Sequence, residues 1–122
     1  MAYEETLKMI SLLANGDQSG NQYLFMKFTA SGIEVCDTAG EDAIGVLQDK
    51  PTAGKVGAVA YSGVSKVIVG TGGITAGAGV QTNASGEAIA ASTGDYKLGV
   101  ALQTGAAGAI VPVLLFGAGQ NN

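Results

Sequence analysis

The sequence predicts an all-β protein: a compact barrel or sandwich of about nine short strands, built from two 54-residue internal repeats with an N-terminal arm outside them. Three observations carry this. Twenty glycines are spread over 122 residues, a density that weakens helices but suits tight turns and bulges. Short apolar runs alternate with those glycines at the spacing of a sandwich or barrel. The chain also matches itself when shifted by 54 residues, the mark of a duplicated supersecondary unit.

In the self-match, Ala30-Ser31-Gly32 recurs as Ala84-Ser85-Gly86, Gly40 as Gly94, and Gly45-Val46 as Gly99-Val100. Further on, Ala53-Gly54 recurs as Ala107-Gly108, Val59 as Val113 and Gly63 as Gly117. Similar residues fill the spaces, Val35 with Ile89 and Ile44 with Leu98 among them, and no gap is needed. The match divides a single β domain, residues 15–122, into repeats 15–68 and 69–122, and leaves Met1 to Ala14 as the arm.

Element by element, the arm is the one segment with helical spacing, through Leu7, Ile10 and Leu13. The first repeat reads as a dense apolar strand from Gln22 to Thr29, a turn at Ala30-Ser31-Gly32, and an alternating strand from Ile33 to Cys36. Strands from Ala43 to Leu47 and from Val56 to Tyr61 follow, with a further strand from Ser65 to Val69. The second repeat supplies Gly79 to Thr82, Ala88 to Ala90, Lys97 to Leu102 and Ala109 to Phe116. Pro112 lies inside the last of these and argues for an edge position or a bulge, because it cannot donate to a ladder.

Composition narrows the function. With one cysteine and no histidine, an intrachain disulfide and the usual zinc and copper ligand sets are out of reach. Cys36 reads as a small semi-buried hydrophobe with no role. Charged residues make up 13% of the chain, none of them arginine, and the six lysines are scattered singly. That pattern does not track a phosphate backbone, so no nucleic-acid partner is expected. No stretch is long and apolar enough to span a bilayer as a helix, and the start lacks a secretory pattern, so the expected site of synthesis is cytoplasmic. From Val67 onward the only charged side chains are Glu87, Asp95 and Lys97, which predicts that much of this half is covered by neighbouring subunits.

Chemical motifs fail one after another. Lys66 to Ile74 resembles a strand entering a dinucleotide-binding turn, but Thr75 stands where the third glycine belongs and Gly77 and Gly79 would fall in the first turns of the required helix. Glu4-Glu5 and Glu41-Asp42 are paired carboxylates in a helix start and an exposed loop, and no histidine triad or Gly-x-Ser-x-Gly elbow exists. Asn83-Ala84-Ser85 matches a glycosylation sequon and reads as a turn. The expectation is a protein without catalysis, cofactor, metal or small-molecule substrate.

The stretch Gly73 to Gly86, then Leu98-Gly99-Val100-Ala101-Leu102 and Ala106 to Leu115, resembles the small capsid decoration (cement) proteins of tailed bacteriophages. The resemblance covers the last 50 or so residues well and the preceding repeat weakly; the aromatic strand from Gln22 to Phe28 and the arm depart from it. It implies an all-β structural virion protein, made in the host cytoplasm, that binds the outer surface of the capsid. There it would bridge neighbouring major capsid subunits, with the major capsid protein and further copies of itself, as a homotrimer, for partners. A tail-tube or fibre-base subunit is the main alternative, and a cytoplasmic ligand-binding barrel a more distant one. The arm is too apolar for a solvated tail, so Tyr3, Leu7, Met9, Ile10 and Leu13 are the candidate partner-binding residues. They would order on a neighbouring subunit or the shell, as a short helix or an added edge strand; the alternative is that the arm plugs its own barrel.

Overall fold

A computed structural model describes residues 7–116, and among these residues there is no helix. Nine strands follow one another: β1 (Lys8–Leu13), β2 (Phe25–Thr29), β3 (Gly32–Val35), β4 (Gly45–Leu47), β5 (Val56–Ile68), β6 (Gly79–Thr82), β7 (Ala88–Ala90), β8 (Gly99–Ala101) and β9 (Ile110–Leu115). They form one sheet in the order β3-β2-β4-β5-β9-β8-β6-β7, with β1 paired to β5 beside that path. All pairings between strands are antiparallel. Parallel bridges from Ala14 to Ile33 and from Val69 to Ala88 draw the ends of each half towards each other and curl the sheet.

The all-β expectation holds, and so does the count of nine, although two elements differ from the reading of the sequence. The runs Val56 to Tyr61 and Ser65 to Val69 are one 13-residue strand, β5, which continues through Gly63. Its first part pairs with β1 and β4, and its second part with β9. The ninth strand is β1, where helical spacing was expected. The N–H and C=O groups of β5 from Val56 to Ser62 need partners, and Lys8–Leu13 supplies them. Pro112 is not on an edge, because β9 is paired on both sides. Its carbonyl accepts the Leu102 N–H at 2.9 Å, and Leu102 is the first residue beyond β8, so the missing donor falls where the ladder already ends.

Pairings in the first half recur further along the chain. Phe25↔Val46 and Met26↔Gly45 reappear 54 residues on as Gly79↔Val100 and Val80↔Gly99. Val46↔Ala60 and Leu47↔Val59 reappear as Val100↔Leu114 and Ala101↔Val113. For β3 against β7 the spacing is 55, because one residue more lies between equivalent pairs across the β6–β7 turn than across the β2–β3 turn: Met26↔Val35 corresponds to Val80↔Ala90. The pairing of β1 with β5, from Leu13↔Val56 to Met9↔Ala60, matches that of β5 with β9, from Ile68↔Ile110 to Val64↔Leu114.

Burial follows the same lines. A small cluster of Ala14, Met26, Ile33, Leu47 and Val59 fills the first half. The corresponding Val69, Val80, Ala88, Ala101 and Val113 lie in a larger cluster, which also takes in Phe25, Cys36, Ala43, Val46 and Ala60 from the first half. Those five residues point away from the first half's own interior and close the second.

Candidate interaction surface

β1 is where the candidate residues meet the structure. Met9, Ile10 and Leu13 are exposed, at 52%, 44% and 49%, on a strand whose Leu12 packs against the small cluster. Alternation along a strand puts Met9 and Leu13 on one face and Ile10 on the other. They therefore form a two-sided apolar rim and not a single stripe. Leu7 is half-buried and packs against the larger cluster. Tyr3 lies outside the described residues.

Other apolar groups are exposed as well, and the sequence did not single them out. Val56, opposite Leu13, is exposed, as is Phe28 at the far end of β2 from the buried Phe25 and Met26. On the second half, Leu102, Ile110, Leu114 and Phe116 are exposed. Apolar periodicity marks a residue as fit for burial but not whether its own chain or another buries it, so Phe28 reads as core in the run Phe25 to Thr29.

Charge gathers at one place on the first half. Lys27 Nζ lies 2.7 Å from Asp37, 3.7 Å from Glu34 and 3.8 Å from Glu41. The hydrogen bond to Asp37 raises the lysine pKa, and the same bond lowers that of Asp37. Glu41 also accepts the N–H groups of Asp37 and Thr38, at 2.7 and 2.9 Å, which fixes the loop after β3. These are solvated pairs, screened by water, that shape a loop and assemble no chemistry.

The glycine-rich segment after β5 and the sequon at Asn83 are turns. Gly73 N–H closes on the Gly70 carbonyl at 3.1 Å, and Ile74 then bridges to Gly105 instead of opening a helix. The Asn83 side-chain oxygen Oδ1 accepts the backbone N–H groups of Ser85 and Glu87, at 2.8 and 2.9 Å, which makes it the organiser of the β6–β7 turn. Burial pushes the Cys36 thiol up to about 12, so it stays a thiol at neutral pH. Among the described residues no group of histidine, cysteine, aspartate or glutamate has the arrangement to hold a metal ion.

An apolar rim on a small charge-poor β-fold is the form of a subunit that packs against other subunits, and the comparisons agree. A solved structure described as "The crystal structure of head fiber gp8.5 N base in bacteriophage phi29" shares the fold with a TM-score of 0.71 at 15% identity, covering 90% of this chain and 94% of that one. No curated protein sequence matches significantly. The family model for phage cement proteins matches residues 18–115. That span takes in β2 to β9 entire, and the chain belongs to the phage cement protein family, structural proteins of the virion.

Proposed function

We propose that this chain binds the outer surface of a tailed-phage capsid and stabilises it by bridging neighbouring major capsid subunits, as a homotrimer. The match to the cement family over residues 18–115 carries this reading, and the exposed Met9, Ile10 and Leu13 on β1 offer a contact surface for it. A ligand that binds the assembled shell and not its separated subunits shifts disassembly in proportion to the logarithm of its concentration over its dissociation constant, and no reactive group is needed. The apolar rim supplies area to bury across a joint; the weak charge of the second half lowers the desolvation cost of doing so.

The test uses shells purified without this protein. Purified chain added to them is expected to co-sediment at fixed stoichiometry and raise the temperature at which they come apart. A Met9→Ser, Ile10→Ser variant is expected to keep its melting temperature and bind several-fold more weakly. Failure of the intact protein to bind shells would remove the reading. The fold shared with a head-fibre base favours a fibre-base role as the second reading; antibody labelling of virions that marks only fibre attachment points would select it.

A further inference from the structure

The surface that joins the two halves of this chain is used in one direction only, and that leaves a matching pair of surfaces open. The first half is taken as β1 to the start of β5, and the second as the rest of β5 to β9. Four backbone hydrogen bonds cross between them outside the strands. The Tyr23 carbonyl accepts the Ile68 N–H at 3.0 Å, and Phe25 N–H donates to Gly86 at 2.8 Å. Gly40 N–H donates to Thr82 at 2.9 Å, and its carbonyl accepts the Tyr96 N–H at 3.0 Å. The first half contributes Tyr23, Phe25 and Gly40; the second contributes Ile68, Thr82, Gly86 and Tyr96.

At the spacings set by the strand pairings, Tyr23 corresponds to Gly77, Gly40 to Gly94, Ile68 to Leu13 and Thr82 to Phe28. A two-fold junction would repeat each bond with the partners exchanged. Among the described residues, Leu13 does not bond to Gly77, nor Gly94 to Phe28. The junction is head to tail.

Exposure shows the same asymmetry. Phe25, Cys36, Val46 and Ala60 are closed over by the second half, at 1% or less. Their counterparts Gly79, Ala91 and Val100 are half-buried, and Leu114 is 41% exposed. A Cβ at Gly40 would run into the Asp95 carboxylate, whereas at Gly94 it would meet nothing. On the complementary side Leu98 and Leu115 are buried, while their counterparts Ile44 and Tyr61 are half-buried and exposed.

We propose that copies of this chain join head to tail, the Gly77–Gly79–Gly94–Leu114 face of one copy seating on the Leu13–Phe28–Tyr61 face of the next, by repeating the junction that already holds the two halves together. The occupant of each open face is thus a second copy of this chain. β9 of one copy then leads towards β1 of the next, as the two parts of β5 lead into each other. Such a heterologous contact closes into a ring when the rotation per copy divides a full turn. The proposal deepens the self-association in the functional reading above but is argued from the chain's own geometry.

Cysteine pairing tests it. Within the chain, a Cβ at Gly86 would sit 3.2 Å from the Leu24 Cβ, close to disulfide reach. The counterparts are Ser31, at the tip of the shorter first turn, and Ala78. Ser31→Cys and Ala78→Cys chains, co-expressed and oxidised, are expected to give a disulfide-linked pair that neither variant gives alone; the doubly substituted chain is expected to give a covalent ladder ending at the ring size. A self-linked pair from either single variant, or no pair in a mixture that sedimentation shows to be associated, would overturn the proposal. Sedimentation of Leu114→Glu supplies a second readout: loss of association at unchanged melting temperature is expected. Intact chain that stays monomeric at high concentration and in virions would also overturn it. Chains that cross-link as expected but ignore shells would leave this inference standing and remove the capsid reading; monomers that bind shells would remove this inference, and the homotrimer with it, and leave capsid binding standing.

Discussion

Tyr23 holds φ at 69°, in the left-handed region that costs a residue bearing a Cβ about 1–2 kcal/mol. It is held there by hydrogen bonds on both sides, its N–H to the Leu47 carbonyl at 2.7 Å and its carbonyl from Ile68. The Lys66 ammonium also lies 5.9 Å from the ring centroid. At the corresponding place in the second half stands Gly77, with φ 87° and its N–H on Ala101. Both Tyr23→Gly and Tyr23→Ala remove the ring, so their difference isolates the backbone. The glycine variant is expected to be the more stable by about 1 kcal/mol in urea denaturation, the reverse of the usual strand order. Cys36 gives a second residue-scale prediction. Its thiol has a pKa of 9.0 when unperturbed and about 12 in the fold, so the unfolded chain loses its proton first. Stability should therefore fall as pH rises from 9 towards 12. A Cys36→Ala variant should lose that part of the alkaline dependence in melting curves taken across the window, and the native thiol should resist alkylation at pH 7.

Gly45 on β4 and Gly99 on β8 occupy equivalent places, and at each an added Cβ would collide with the carbonyl of the facing strand, Ala60 or Leu114. Each strand is only three residues long, so the close approach cannot be relieved by slipping the strand. Gly45→Ala and Gly99→Ala are each expected to cost about 1–3 kcal/mol, whereas Gly20→Ala, where a Cβ meets nothing, should be near neutral by chemical denaturation. At this scale the sequence was legible where a strand both alternates and ends at a turn glycine: β6 and β7 have the expected bounds, and β2, β3, β4, β8 and β9 differ only at their ends. The merger into β5 was not legible, since Gly63 falls between the two apolar runs Val56 to Tyr61 and Ser65 to Val69, and its tendency to break a strand is overridden by partners on two sides, β1 before it and β9 after it. For β1 the sequence left a short helix or an added edge strand open, for a related reason. Leu7, Ile10 and Leu13 fit a helix by spacing, but the open edge of β5 decides the matter, and an edge is a property of the assembled sheet. Of the candidate surface, Met9, Ile10 and Leu13 were legible as apolar residues outside the main body, while Phe28, Val56 and Leu114 were hidden among residues that look like core.

Across the whole molecule the first half helps to fill the interior of the second. The larger cluster takes Phe25, Cys36, Ala43, Val46 and Ala60 from one half and the remaining ten residues from the other, and β5 runs through both. Parting the halves would expose the larger cluster, to which both contribute, so thermal unfolding is expected as a single transition with equal calorimetric and van't Hoff enthalpies. Phe25 tests this coupling best. It is 1% exposed, sits on β2 in the first half, and lines a small cavity with Leu98 and Leu115 of the second half's cluster. Phe25→Ala is expected to cost about 3–5 kcal/mol, a large share of the 5–15 kcal/mol typical of a domain. Hydrogen exchange distinguishes a shared interior from two independent ones: the amides of Val111 and Val113 should lose protection by the same factor as those of Val46 and Val59. Loss confined to the first half would show that the halves unfold separately.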